Sequence, residues 1–256
     1  MYFFLGNLSF LDLCFTTSIV PQLLWNLWGP EKTISYTGCA IQLYVFLWLG
    51  ATECILLVIM AVDRCVAVCH PLQYTTLMHP KICLQLAIFA WGTGLIQSLI
   101  QSPATLQLPF CSHQRVDDIV CEVPALIQVS SADTVSNEIQ MSIASIILLV
   151  VPLIIILSSY IAIAKAVLRI KLTSGKKKAF GTCTSHLLVV SLFYGTVTAV
   201  YLQPKSRYAH EQGNFLTLFY TVVTPTLNPL IYTLRNKEVK GSLIRLGRRT
   251  WGIWNN

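Results

Sequence analysis

Four ionisable side chains in this sequence stand within apolar stretches or at their ends, where a charge is costly. Asp12 and Glu53 each lie inside a stretch long enough to cross a bilayer, and Asp63 and Arg64 are adjacent near the end of the second stretch. Exposing a carboxylate to lipid would be expensive, so we expect Asp12 and Glu53 to face the interior of a helix bundle. Two nearby carboxylates repel each other unless a cation or a proton lies between them. The pair therefore indicates a cation site or two protonated acids hydrogen-bonded in a wet core. It does not indicate catalysis, because nothing nearby suggests a nucleophile or a substrate pocket.

The sequence also contains nine cysteines, at positions 14, 39, 54, 65, 69, 83, 111, 121 and 183. Most lie within or beside apolar stretches, where a cysteine is usually a small buried hydrophobe. The segment CVAVCH has the wrong spacing for haem attachment, and we predict no metal there. Cys39, Cys111 and Cys121 lie outside the apolar stretches or at their edges. Their chemistry therefore depends on which side of the membrane they occupy.

The composition indicates an integral membrane protein. The chain has 256 residues, of which 54% are hydrophobic and only 11% are charged, whereas soluble domains carry about 25% charged residues. The net charge of +7 comes from basic residues between long apolar stretches. This distribution favours binding to anionic lipid and to cytoplasmic partners over binding to nucleic acid.

Six apolar stretches are long enough to be transmembrane helices, which need about 20 residues each. They cover residues 1–27, 39–62, 82–103, 138–164, 180–202 and 214–234. We therefore predict an all-α membrane protein with one domain over residues 1–256, including a cytoplasmic tail at 235–256. The sequence shows no internal repeat and no soluble domain.

The basic residues predict the orientation of the six helices. Of the 18 lysines and arginines, all but Lys32, Arg115, Lys205 and Arg207 follow the second, fourth or sixth stretch. By the positive-inside rule these three segments are cytoplasmic, so both chain ends are expected inside. The first stretch does not resemble a signal peptide, because no basic residue precedes Lys32. We therefore expect the chain to start inside its own membrane domain.

Four motifs resemble those of the odorant receptors, a rhodopsin-like G-protein-coupled receptor family. They are MAVDRCVAVCHPLQY at 60–74, SY at 159–160, KAFGTCTSHL at 178–187 and PTLNPLIYTLRNKEV at 225–239. Their order and spacing cover essentially the whole chain, starting partway into the second helix of the family. The resemblance implies a rhodopsin-like helical bundle with six of the usual seven transmembrane helices, followed by a short amphipathic C-terminal helix.

The resemblance also implies roles in G-protein coupling for Asp63, Arg64, Tyr160, Asn228, Pro229 and Tyr232. Arg64 would be held by Asp63 at rest and swing toward the G protein on activation, while Tyr160 and Tyr232 move inward. Taken alone, the Asp63–Arg64 pair is equally consistent with a charge that snorkels to the membrane surface. Cys65 stands where the family usually has tyrosine, and Val62 stands where an aromatic residue is common.

Further features follow from the same resemblance and from the prolines. Asp12 and Glu53, with Asn228 nearby, would form a sodium site; no other cofactor is expected. Cys39 and Cys121 would form a disulfide on the oxidising side of the membrane. Cys111 would be unpaired, because Ser131 occupies the position of its usual partner. Pro152, Pro225 and Pro229 would interrupt and kink their helices, and those near Asn228 would mark the hinge of activation.

A ligand would bind between the outer halves of the second, fourth, fifth and sixth stretches. By position relative to the motifs, the expected lining residues are Phe46, Leu47, Gly50, Ala51, Ala144, Ser145, Leu148, Tyr194, Val197, Thr198 and Tyr201. None of them is charged, and Phe46 stands where receptors for amines have an aspartate. Such a site suits a small, mostly apolar molecule with one polar group.

The sequence therefore predicts an odorant receptor that is not an enzyme and that activates a stimulatory heterotrimeric G protein, raising cAMP, from the plasma membrane. Two alternatives stay open at this point. The even number of spans permits a six-span transporter or channel, although no repeat relates the two halves. The chain is also consistent with a truncated, non-functional receptor product that is retained in the endoplasmic reticulum.

Overall fold

The structure is a computed structural model that describes residues 2–28, 34–109, 115–116, 120–130, 134–169, 173–201 and 215–235. The long helices are α1 (Tyr2–Trp28), α2 (Tyr36–Cys69), α4 (Pro80–Leu106), α6 (Val135–Arg169), α7 (Thr173–Tyr201) and α8 (residues 215–235). The shorter elements are α3 (Tyr74–Leu77), α5 (Val123–Val129) and the two-residue strands β1 (Ile34–Ser35) and β2 (Arg115–Val116), which pair antiparallel.

Six helices in the described part of the chain are long and apolar enough to cross a membrane. They overlap the six predicted stretches, and the predicted all-α membrane fold is confirmed. Helices α2, α4 and α6 extend beyond their predicted stretches at both ends. The amphipathic helix expected after residue 235, together with Cys111 and Ser131, lies outside the described residues.

Helix α2 is the central element of the bundle. In its most apolar part, 61% of the residues are buried inside the protein, compared with 22% in α6. With 34 residues it is about 51 Å long, whereas the hydrocarbon core of a bilayer is about 30 Å thick. One continuous helix therefore reaches from the extracellular surface to the cytoplasmic one. It can carry residues of several sites along its length.

Apolar side chains cover the outside of the bundle. On α4 the exposed large residues are Ile82, Leu84, Ile88, Phe89, Leu95, Ile96, Leu99 and Ile100. A soluble protein rarely exposes so large a contiguous apolar surface, while hydrocarbon accepts it without cost. The lipid-facing sides of the helices thus carry the high apolar content seen in the sequence.

The prolines at 152 and 225 are preceded by π turns rather than by breaks. The π segments are Ile146–Val150 and Phe219–Val223, and in each the next backbone N–H donates to the carbonyl five residues earlier. Proline has no N–H and its ring collides with the carbonyl four residues earlier, so a widened turn accommodates it. Pro229 lies inside the helix Thr224–Arg235. The helices thus continue through all three prolines, and the kinks expected at them stay a prediction.

Helices α2 and α4 approach closely at Gly94. A Cβ atom placed there would lie 2.6 Å from the carbonyl oxygen of Trp48 and would also collide with the hydroxyl of Thr52. Nearby, Trp48 Nε1 donates to the carbonyl of Trp91 at 3.0 Å, and Ser98 Oγ donates to the carbonyl of Tyr44 at 2.7 Å. Glycine at 94 thus allows the two helices to exchange hydrogen bonds directly.

We expect Gly94→Ala to reduce the folded yield of the protein several-fold. The added methyl group meets backbone rather than a flexible side chain, and such overpacking costs about 1–3 kcal/mol. Fluorescence-detected size-exclusion chromatography of detergent extracts measures the monodisperse fraction. Gly92→Ala is the matched control, since a Cβ there has no atom within 4 Å. An unchanged monodisperse fraction for Gly94→Ala would contradict the close packing.

Candidate functional site

A cavity of about 650 Å³ of atom-free space, part of it open to solvent, lies between the outer halves of α2, α6, α7 and α8. Nine of the eleven expected residues line it: Phe46, Leu47, Gly50, Ala51, Ala144, Ser145, Leu148, Val197 and Tyr201. Ligand sites in proteins are typically concave and mostly apolar, with a few polar groups. No charged residue is among those that line it. The cavity therefore suits a small uncharged molecule.

The two remaining expected residues, Tyr194 and Thr198, lie outside this lining. The face of α7 that meets the cavity carries Phe193, Val197 and Tyr201, spaced four residues apart. Each following residue is rotated by about 100° around the helix, which turns it away from the cavity. Tyr194 instead donates its hydroxyl hydrogen to the carbonyl of Cys54 at 3.1 Å.

Sequence reasoning missed nine lining residues, namely Phe15, Cys54, Gln97, Gln101, Val123, Met141, Leu149, Phe193 and Tyr220. Helical spacing from Gly50 and Ala51 would have found Cys54, one turn further along α2. The residues of α1, α4, α5 and α8 had no such signal. They come to the cavity only through the packing of helices that are distant in sequence.

The described part of the segment between α4 and α6 contributes Val123 to the cavity and is fixed to two helices. A disulfide joins Cys39 to Cys121, with their Cα atoms 5.3 Å apart, and Gln42 Oε1 accepts a hydrogen bond from the backbone N–H of Cys121 at 3.0 Å. The buried carboxylate of Glu122 accepts hydrogen bonds from Thr217 at 2.7 Å and from the hydroxyl of Tyr220. The loop is thus tied to α2 on one side and to α8 on the other.

Asp12, Glu53 and Asn228 meet in the interior of the bundle, from α1, α2 and α8. They are 3%, 0% and 0% exposed. Asn228 Nδ2 donates to Asp12 Oδ1 at 3.1 Å and lies 3.5 Å from Glu53 Oε1. Three oxygen atoms here, Asp12 Oδ2, Glu53 Oε2 and Asn228 Oδ1, have no hydrogen-bond partner in the described structure. Hard cations prefer such oxygen ligands, so the residues present fit a sodium ion.

At the cytoplasmic end of α2, Asp63 accepts a hydrogen bond from the hydroxyl of Tyr74 at 2.9 Å. Tyr74 lies in α3, beyond the membrane-spanning part, and its role was not predicted although its motif was noted. Burial, together with the carboxylate of Asp63, raises the pKa of Tyr74 to about 12. The phenol therefore stays protonated and keeps donating to Asp63 at physiological pH.

Arg64 is buried at the junction of α2, α6, α7 and α8. Its charge lies within electrostatic reach of Asp63, Tyr160, Cys183 and Tyr232. Arg64 Nε and the hydroxyl of Tyr232 have no hydrogen-bond partner in the described part of the chain. The fold thus brings together three residues that the sequence motifs singled out, from separate helices: Arg64, Tyr160 and Tyr232.

His186, in the motif KAFGTCTSHL, links three helices beneath the carboxylate cluster. Its Nε2 lies 3.2 Å from the carbonyl oxygen of Leu57 on α2, and its Nδ1 lies 2.8 Å from the hydroxyl of Tyr160 on α6. A carbonyl can only accept, so Nε2 carries the hydrogen and Nδ1 of the neutral ring accepts from Tyr160. Sequence reasoning quoted this motif without assigning a role to the histidine.

Cys65 stands where the resemblance leads one to expect tyrosine, and its Sγ lies 3.8 Å from the Sγ of Cys69, one turn further along α2. This separation is within hydrogen-bond distance for sulfur. The substituted position therefore makes a local contact along its own helix.

Comparisons with known proteins agree with this arrangement. The family model described as olfactory receptor matches residues 1–248. The chain is 63% identical over 253 residues to Olfactory receptor 2H2 of Homo sapiens, covering 99% of this chain and 81% of that protein. It is 63% identical over 246 residues to Olfactory receptor 2H1 of Homo sapiens, covering 96% and 78%. It is 61% identical to Olfactory receptor 2C1 of Mus musculus, covering 96% and 79%.

Proposed function

Since the chain belongs to the olfactory receptor family, we propose that it binds a small, mostly apolar odorant in the cavity. In this proposal it then activates a stimulatory heterotrimeric G protein and raises cAMP. Members of the family are G-protein-coupled receptors and not enzymes. It is a multi-pass membrane protein, and in this proposal it acts in the plasma membrane. Family membership removes the six-span transporter or channel from consideration. The observation that carries the proposal is an uncharged cavity and a buried arginine joined by one helix.

Helix α2 supports the coupling of the two sites. Along its length Gly50 and Cys54 line the cavity, Leu57 accepts from His186, and Arg64 lies beyond them. Cys54 and Arg64 are about 15 Å apart along the axis. A ligand that moves α7 against α2 in the cavity acts directly on the contact between His186 and Leu57.

Activation in this proposal separates α7 from α2 at the cytoplasmic end. The hydrogen bond between His186 and the carbonyl of Leu57 would break, and Tyr160 would be released from His186. Tyr160 and Tyr232 would then turn toward Arg64, whose Nε has no partner in the described resting arrangement. Such a bistable element, biased by a ligand bound elsewhere, is what allosteric coupling requires.

We also propose that Asp12, Glu53 and Asn228 hold a sodium ion in the resting receptor. The three unpartnered oxygen atoms supply ligands, and a bound cation would reduce the repulsion between the two carboxylates. The alternative is that the acids are protonated and hydrogen-bonded to each other or to water. The two alternatives differ in their response to sodium at constant ionic strength.

The ligand site is tested by filling the cavity with Gly50→Leu. A Cβ at Gly50 meets no atom within 4 Å, so a side chain can start from this position without a clash at its first atom. One extra or missing methylene in a hydrophobic pocket alters recognition by about 10–200-fold. We therefore expect the effective concentration of activating odorants, found by screening a panel with a cAMP reporter, to rise at least about tenfold.

Gly195→Leu is the matched control for this experiment. Gly195 is exposed on the outside of α7, does not line the cavity and also has no atom within 4 Å of a built Cβ. Its replacement should leave odorant potency unchanged at equal surface expression. Unchanged potency in Gly50→Leu would contradict the assignment of the cavity.

A further inference from the structure

The amide of Gln101 is a buried polar group whose donor and acceptor are both unused. Gln101 lies on α4, lines the cavity and is only 2% exposed. Neither its Nε2 nor its Oε1 has a hydrogen-bond partner in the described structure. More than about 90% of buried polar groups in proteins are partnered, and leaving one unpaired is destabilising. Both amide atoms are inaccessible to a water-sized group in this arrangement, so a ligand in the cavity supplies the missing partner when the Gln101 side chain turns toward it.

Other polar groups that line the cavity have their hydroxyl hydrogens engaged. Ser145 Oγ donates to the carbonyl of Met141 at 2.8 Å, and the hydroxyl of Tyr220 donates to Glu122. Gln97, one turn before Gln101 on the same face of α4, is only partly buried. Among the residues that line the cavity, Gln101 is the one whose side-chain donor and acceptor are both buried without a partner in the described structure.

Building on the proposed odorant-binding function, we propose that Gln101 is the polar anchor of the cavity and that the preferred ligand class is a neutral alcohol. A hydroxyl group accepts from Nε2–H and donates to Oε1, so it pairs with both sides of the amide. Aldehydes, ketones and ethers only accept, and they leave Oε1 unpaired. A hydroxyl is thus the smallest neutral group that pairs with both the nitrogen and the oxygen of the amide.

Charged ligands are disfavoured by the same lining. A carboxylate or an ammonium ion buried in the cavity needs an opposite charge close by. No charged side chain is among the residues that line it. The lining is otherwise dominated by aliphatic and aromatic side chains, which suit the hydrocarbon body of an aliphatic or terpenoid alcohol.

The experiment measures binding directly, so that it does not depend on G-protein coupling. Full-length chain in lipid nanodiscs is titrated with an alcohol, an aldehyde and a methyl ether that share one carbon skeleton, over a series of skeletons. Ligand-dependent increases in melting temperature give the three affinities. We expect the alcohol to bind at least about tenfold more tightly than the aldehyde or the ether.

Gln101→Leu should abolish this preference, so that the three affinities become about equal. The affinity for the ether should stay unchanged or rise, because the variant no longer has an unpaired amide. Gln140→Leu, at a glutamine of α6 outside the lining, should retain the preference. Equal affinities in the wild-type chain would overturn the proposal without any variant. Preference for alcohols that persists in Gln101→Leu would overturn it as well.

The outcomes separate this inference from the proposed function. Selective binding of alcohols without any rise in cAMP in cells would support the anchor and contradict the signalling role. Binding without selectivity would contradict the anchor alone. If no compound of any class changes the melting temperature of the folded protein, both the anchor and the odorant site are wrong.

Discussion

Arg64→Ala is expected to abolish odorant-stimulated cAMP while leaving odorant binding intact. Arg64 lies near the cytoplasmic end of α2 and does not line the cavity, so its loss removes the group offered to the G protein without changing the ligand site. The measurement is cAMP accumulation in cells at matched surface expression. It is paired with the odorant-induced rise in melting temperature of the purified receptor.

Two variants serve as controls for this prediction. Arg169→Ala removes an exposed basic residue near the cytoplasmic end of α6 and should leave the response within the range of the wild-type receptor. Arg64→Lys keeps the charge but loses the planar guanidinium fork, and we expect only a partial response. If Arg64→Ala gave the same odorant-stimulated cAMP response as the wild-type receptor, signalling would not depend on this residue.

Sodium is expected to stabilise the resting receptor, and the double variant Asp12→Asn/Glu53→Gln is expected to lose this effect completely. At a sodium concentration about tenfold above its Kd, binding contributes about 1.4 kcal/mol, which corresponds to a rise of about 3–6 °C in melting temperature. The measurement compares melting temperatures in sodium chloride and in choline chloride at equal ionic strength. The neutral amides retain shape and hydrogen bonding but no longer attract a cation.

Glu138→Gln is the matched control for the sodium experiment. Glu138 is a carboxylate near the start of α6 that accepts a hydrogen bond from Thr134 at 2.7 Å, far from Asp12 in the fold, and its replacement should leave the sodium effect unchanged. Equal melting temperatures in the two salts for the wild-type chain would favour the pair of protonated acids. Stabilisation by sodium that survives in the double variant would place the ion elsewhere.

The buried carboxylates illustrate how far the sequence could predict the interior. Asp12 and Glu53 were expected to face inward because lipid does not solvate a charge, and the structure brings them together with Asn228. Their unpartnered oxygen atoms could not be foreseen, since hydrogen-bond partners depend on the rotation of three separate helices. His186 and Tyr74 show the same limit: each lies in a quoted motif, yet its partner comes from another part of the chain.

The cavity shows more clearly how far the sequence alone can predict which residues meet. Nine expected residues line it, but Tyr194 and Thr198 lie outside the lining although each is the immediate neighbour of a lining residue. One position along a helix corresponds to about 100° of rotation, so a small error in helix orientation exchanges cavity residues for packing residues. Gln101 was missed because an amide within an apolar stretch looks like any polar residue until its partners are counted.

The sequence by itself determined the membrane class and the six helices, and also the inward position of Asp12, Glu53, Asp63 and Arg64; the direction of the helices stays a prediction. These properties follow from local rules, because a helix in lipid must satisfy its own backbone hydrogen bonds and keep apolar side chains outward. The tertiary structure alone decided which side chains share a cavity, which hydroxyls are already engaged and which amide is left without a partner. Those outcomes depend on how closely distant helices pack, as α2 and α4 do at Gly94, and no stretch of sequence contains that geometry.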